Sequence, residues 1–273
     1  MNDELSDRSK SLLQRREIHA QWESDYLNPD IDHFYDLAFS DIIKRIRPTP
    51  NSEILDAGCG YCYHTVRLAR SGAKLTSVDF SDAALRVARE TIDRAGLQNQ
   101  VTLRQADLTC LPFQDASFDY VVSWGVLMHI PQLETALSEL ARVLKPGGIL
   151  VLGENNMRSL DVSIRERLIH VVKTALGRPT DKMNYSPRGI EVWKQSGDGA
   201  LLVRKTDMTF LAACLEKVGL REIAKTAGQF TEAYTNMPLR PLKRLVYSFN
   251  TFYFRHAMSP HLALGNIVYF QKL

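Results

Sequence analysis

Cysteine is scarce in this sequence: Cys59, Cys62, Cys110 and Cys214 are the only four among 273 residues. Only Cys59 and Cys62 lie close together, and no second pair or Cys/His quartet completes a zinc site, so no metal is expected. A long apolar run is also missing. Spanning a bilayer takes roughly 18 or more consecutive apolar residues, so no transmembrane helix is expected. The opening MNDELSDRSKSLLQRRE lacks the apolar core of a secretory signal, and a cytoplasmic chain with reduced thiols is the expectation. Charge of one sign is not in excess. With 34 basic and 31 acidic residues the net charge is +3, which argues for no nucleic-acid partner. Neither an internal repeat nor a low-complexity segment stands out.

What is present is a rhythm. After a polar lead-in to Asn28-Pro29, residues 31–47 place Phe34, Leu37, Ala38, Ile42 and Ile46 at helical spacing, and Pro48 and Pro50 stop that helix. SEILDAG then reads as a buried strand, TVRLARSG as a helix and KLTSVDF as a second strand. DAALRVARETIDRAG reads as a helix with Ser81 or Asp82 at its N-cap and Gly96 at its C-cap. VTLRQAD and SFDYVVSW follow as strands, LETALSELARVL as a helix and GGILVLGEN as a fifth strand. Such alternation predicts βαβ units: a parallel sheet covered by helices on both faces. Beyond Asn156 the rhythm breaks. RSLDVSIRERLIHVVKTALG is an amphipathic helix by pattern, RPTDKMNYSPRG and QSGDGA read as loops, and a helix capped near Thr206 follows. REIAKTAGQ and LALGNIVYFQKL are read as sixth and seventh strands.

The first strand runs into a glycine-rich turn, Asp56-Ala57-Gly58-Cys59-Gly60, which lets a ligand approach the backbone closely. A diphosphate needs amide donors without a fixed negative charge; Asp56 instead suits a ligand with a positive group. Asp79 ends the second strand, where an acid can accept both ribose hydroxyls, and Asp107 ends the third, where a carboxylate can accept from an adenine amino group. By residue type, the Cys59/Cys62 pair reads as half a zinc site, a redox couple or two small residues in a tight turn.

ILDAGCG, VDFSDAAL, QADLTCLPFQDASFDYVVSWGVLMHI and ELARVLKPGGILVLGEN, in that order, resemble the class I S-adenosylmethionine-dependent methyltransferases from about residue 50 to 156. The resemblance implies an α/β, doubly wound, seven-stranded and mostly parallel sheet with the last strand antiparallel. It implies S-adenosylmethionine as cofactor, S-adenosylhomocysteine as product, and binding through Asp56, Ala57, Gly58, Cys59, Gly60, Asp79, Phe80, Asp107, Leu108, Ser123 and Trp124. Cys59 and Cys62 then fill small-residue slots, Cys62 standing where the family often has glycine. Residues 48–156 are expected to form the cofactor core, 1–47 a helical lead-in or lid, and 157–273 the completion of the sheet with an acceptor-side insertion. The expected activity is methyl transfer to oxygen or nitrogen of a small-molecule, glycan or lipid-linked acceptor. A non-catalytic or regulatory cofactor-binding protein is the rival.

Other residues admit two readings. His129, after the fourth strand, is placed to remove a proton from the acceptor or simply to pack against the next helix. Trp22, Tyr26, His33 and Tyr35 make an aromatic lead-in that either closes over the cofactor, with Tyr26 foremost, or caps the sheet. His64 supports the glycine turn. Glu154, Asn155 and Asn156 line the acceptor site or cap the next helix. Leu239 to Met258, basic and aromatic together, either touches an anionic or lipid-linked acceptor or a membrane surface, or packs on the domain.

Overall fold

The computed structural model describes Leu12 and residues 29–178, 180, 182–196 and 199–273. Helix α1 (Pro29–Ile46) opens with proline at its first position, where the missing N–H is no loss, and carries Asp30 and Asp32 in its first turn and Lys44 and Arg45 in its last. Its apolar stripe buries Phe34, Ala38, Phe39, Ile42 and Ile46; full burial of each Phe or Ile side chain contributes about 1.5–3 kcal/mol.

The alternation then runs β1 (Glu53–Ala57), α2 (Tyr63–Ala69), β2 (Lys74–Asp79), α3 (Asp82–Ala95), β3 (Val101–Gln105), β4 (Phe118–Trp124), α4 (Leu133–Val143) and β5 (Leu144–Asn155). Helix α3 begins with the Ser81 side chain accepting from the Ala84 N–H and ends on left-handed Gly96, both as its sequence signals indicate. Past β5 come a π-turn at Asp161–Glu166, α5 (Arg167–Ala175), β6 (Met183–Ser186), β7 (Gly189–Ser196), β8 (Gly199–Thr206), α6 (Met208–Lys217), β9 (Leu220–Ala227), α7 (Arg240–Arg255) and β10 (Gly265–Lys272).

Seven strands form one sheet in the order β3-β2-β1-β4-β5-β10-β9. Strands β1 to β5 run parallel, and β10 lies antiparallel between β5 and β9. The order reverses at β1, so the β1 and β4 ends flank a crevice at the carboxyl edge, where open α/β sheets bind ligands. One face is covered by α4 and α6 through Leu137, Leu140, Leu211 and Leu215. The other is covered by α1, α2, α3 and α7.

The 183–206 region departs from the loop reading. It is an antiparallel three-stranded sheet, β6-β7-β8. Its turn residues are hairpin connections, and ALLVRKT, after the second of them, is a strand buried along most of its length. The cap of α6 is Asp207, whose carboxylate accepts from the Thr209 and Phe210 amides, rather than Thr206.

Arg204 fastens this small sheet to the main one. Its side chain is fully buried. It donates to Glu191 Oε1 at 2.9 Å and to the Leu127 and Ile130 carbonyls at 3.0 Å. Removing a buried cation that satisfies three acceptors leaves them unpaired. Arg204→Ala is therefore expected to lower stability by about 3 kcal/mol, read as a fall in the thermal midpoint; an unchanged midpoint would contradict this role.

Candidate functional site

The turn after β1 is held by backbone. The amides of Gly58 and Cys59 both donate to the Val78 carbonyl at 2.8 Å. Gly58 has φ +87°, and a Cβ there would lie 2.5 Å from Val126 Cγ2, so geometry and space both require glycine. Gly60, at φ +52°, would meet nothing within 4 Å, leaving the turn an open face. Its N–H donates to Asp79 Oδ2 at 2.9 Å, while the Ser81 N–H donates to Asp79 Oδ1 at 2.9 Å. From β4, Ser123 Oγ donates to the Ala57 carbonyl at 2.9 Å. Ala57 itself is wholly buried.

Cys62 caps α2 with φ 64°, a left-handed conformation that costs a non-glycine residue about 1–2 kcal/mol. That strain explains why glycine suits the position. Hydrogen bonding with Cys62, then burial, holds the Cys59 thiol well above its ordinary range. An activated thiol needs the opposite shift.

Three carboxylates end three neighbouring strands. Asp56 is turned inward and accepts from Thr65 Oγ1 at 2.5 Å; burial raises its pKa to about 6. It anchors the turn to α2. Asp79 is aimed by the two amides above. Asp107 Oδ1 accepts from the amide and hydroxyl of Thr109 at 2.9 and 2.7 Å, and Leu108 drops into the core. Phe80 packs with Leu12, Leu201 and Val203, so Leu12 of the lead-in reaches the β2 end. An open glycine face, an oriented carboxylate after β2 and another after β3 fit a nucleoside.

On the β4–β5 side, the Trp124 ring packs over Gly153 and against Phe39 at 5.1 Å and His64 at 5.9 Å. His64 stacks on Phe39 at 4.6 Å, and burial lowers its pKa to about 3. Tyr35 lies 4.7 Å from His64, and its hydroxyl accepts from Gln229 at 3.3 Å; Tyr234 donates to the same Gln229 at 2.9 Å. This Tyr35–Gln229–Tyr234 chain was invisible in the sequence, since Tyr35 lies 194 positions from Gln229. Of the other lead-in aromatics, His33 accepts from Arg255, and Trp22 and Tyr26 lie outside the described residues.

His129 lies on a short 3-10 turn, with Nδ1 at 2.7 Å from the Leu202 carbonyl of β8. A carbonyl can only accept, so Nδ1 carries the proton. Burial lowers the His129 pKa to about 4. Glu154, 3% exposed, accepts from the Leu127 N–H at 3.1 Å, and its Oε2 has no hydrogen-bond partner among the described residues. Burial raises the Glu154 pKa to about 7. Asn156 donates to the His261 carbonyl at 3.1 Å, tying the end of β5 to the segment before β10.

Residues 55–152 match the family model described as a methyltransferase domain. The chain is 36% identical over 123 residues to the demethylmenaquinone methyltransferase of Geobacillus stearothermophilus, covering 44% of this chain and 52% of that one. It is 31% identical over 179 residues to the demethylmenaquinone methyltransferase of Streptomyces avermitilis, covering 63% and 74%. A methyltransferase structure from Methanosarcina mazei superposes with a TM-score of 0.57 over 85% of this chain and 97% of that one, at 21% identity. The chain spans about half the length of most of the curated relatives it matches. The turn after β1, the strand order and these likenesses agree: the chain belongs to the class I S-adenosylmethionine-dependent methyltransferases.

Proposed function

We propose that the chain transfers a methyl group from S-adenosylmethionine to oxygen or nitrogen of a small-molecule or lipid-linked acceptor. The observation that carries this reading is the β1 turn with its open face at Gly60, beside the Asp79 carboxylate that two amides aim. When bound, the cofactor supplies a methyl already activated on a sulfonium. The protein's own work is alignment and exclusion of water.

In this reading Gly58 to Gly60 lie along the cofactor, Asp79 accepts the ribose hydroxyls and Asp107 accepts from the adenine amino group. Ser123 holds the turn from below through Ala57. Leu12 and Phe80 close the nucleoside end, and Tyr35 with Gln229 and Tyr234 walls the acceptor end. Between the two proton acceptors nearby, Glu154 is the better matched to neutral pH. A carboxyl poised near 7 takes a proton more readily than an imidazole held near 4. His129, neutral and fixed to Leu202, acts as an orienting group. A non-catalytic cofactor-binding protein would keep the same turn yet transfer nothing.

The direct test incubates the chain and its Asp79→Ala variant with methyl-labelled cofactor and a cell extract, and binds S-adenosylhomocysteine to both by calorimetry. Label should enter an extract component with the wild type and more slowly with the variant at subsaturating cofactor, since Asp79→Ala should weaken binding by about 1–3 kcal/mol. Tight binding with no transferred label would favour the non-catalytic reading, and equal affinities would remove Asp79 from the site.

Glu154 gives a pH signature. Its folded pKa is raised from the ordinary 4.5 to about 7, so the folded chain holds that proton more tightly than the unfolded one. Stability from this group is full below the unfolded value and is lost as pH rises through the folded one. Glu154→Gln should therefore flatten the decline in stability between about pH 5 and about pH 8 by ~2–3 kcal/mol. It should also abolish a rise in turnover centred near neutrality. Identical stability–pH slopes in thermal denaturation would contradict the assignment.

A further inference from the structure

Of the 17 large apolar side chains exposed among the described residues, 14 fall within 160–176 and 239–262. Apolar exposure is thus gathered in two segments, unlike the scattered single residues of an ordinary surface. Helix α5 has no buried residue at all. Ile164, Leu168, Val171, Val172 and Leu176 run along one side of it and the turn before it, each 47–63% exposed. Helix α7 already has a face in the fold, through Tyr247, Asn250 and Tyr253. Leu242, Leu245, Phe249 and Phe252 form a second stripe, 44–67% exposed; Phe249 touches Phe230 edge-on and Phe252 packs on His256, yet each keeps about half its surface open.

The two segments spring from one corner. The Leu160 N–H donates to the Leu262 carbonyl at 3.1 Å, and the Thr231 hydroxyl bonds to Asp161. Both leucines are themselves exposed. This corner lies beyond the carboxyl ends of β5 and β9, on the acceptor side of the site.

Its charge is positive in balance. No acidic residue occurs from 167 to 180 or from 233 to 273. Arg167, Lys173 and Arg178 accompany α5; Arg240, Lys243, Arg244 and Arg255 accompany α7. Arg240 and Arg244 share one carboxylate, Asp30, and Arg255 faces His33. Arg165 is neutralised by Asp161 and Glu166. A surplus of cations therefore borders both apolar stripes, the make-up of helices that lie in a headgroup layer. A second copy fits poorly, since it would oppose like charges across the contact.

We infer that the corner formed by α5, α7 and the 257–262 segment docks on an anionic lipid surface. The inference stands apart from the methyl-transfer reading, because binding is measured without turnover. In vesicle flotation, the full chain should bind phosphatidylcholine vesicles mixed with phosphatidylglycerol and leave pure phosphatidylcholine vesicles largely unbound. Leu168→Glu and Leu245→Glu, at side chains 61% and 67% exposed, should each cut partitioning by about tenfold with unchanged circular dichroism. Arg167→Gln, Lys173→Gln and Arg178→Gln should each cut it by about fivefold, and added salt should do the same. Failure to float, equal binding to neutral vesicles, or indifference to these substitutions would overturn the inference. So would a concentration-dependent dimer that Leu168→Glu dissociates, which would assign the corner to a second copy.

Discussion

Two backbone amides on one carbonyl position everything at this site. Because Gly58 and Cys59 both donate to Val78, the β1 turn cannot rise away from β2. The Gly60 amide then falls beside the Asp79 carboxylate, and the turn keeps an open face. Only glycine tolerates the backbone at residue 58 with Val126 packed against it. The buried Asp56–Thr65 bond and the Ser123–Ala57 bond brace the same turn from α2 and β4. Nucleoside binding, in this account, is a property of a stiff backbone corner more than of any single side chain.

The β4–β5 side of the sheet depends on a second constraint, the buried Arg204. It carries β8 to the turn that holds Leu127, Met128 and His129, and the same turn meets Glu154. Burial shifts the two titratable neighbours towards neutrality of charge: Glu154 upward and His129 downward. The small sheet therefore does electrostatic as well as steric work, because it holds His129 through Leu202 and brings the Arg204 charge towards Glu154.

The β1–β5 half of the molecule was legible in the sequence because its signals are local. Strand–turn–helix patterns, the Ser81 cap, Gly96 and the glycines of the turn all act within a few residues of themselves. The 178–189 and 195–200 stretches read as loops for a physical reason: their Gly, Asp, Pro and Ser residues signal turns, and only the partner strands turn those signals into hairpins. Sequence order also hides distant meetings, such as Tyr35 with Gln229, or Arg204 with Ile130. Ser123 and Trp124 stand at the β4 end as expected, but the hydroxyl serves the Ala57 carbonyl and the indole packs on α1. The apolar helix α5 was visible as amphipathic; that its apolar side would remain uncovered was not, since coverage belongs to the whole fold.

The central claim, that the stapled turn between β1 and β2 is where the nucleoside lies, is tested most directly by following backbone amide resonances during titration with S-adenosylhomocysteine. The account predicts the largest shifts at Gly58, Cys59, Gly60 and Ser81, with a smaller set around Asp107 to Thr109, and little change along α5 and α7. Large shifts confined to other elements, with the amides of residues 58–60 unmoved at saturation, would contradict it.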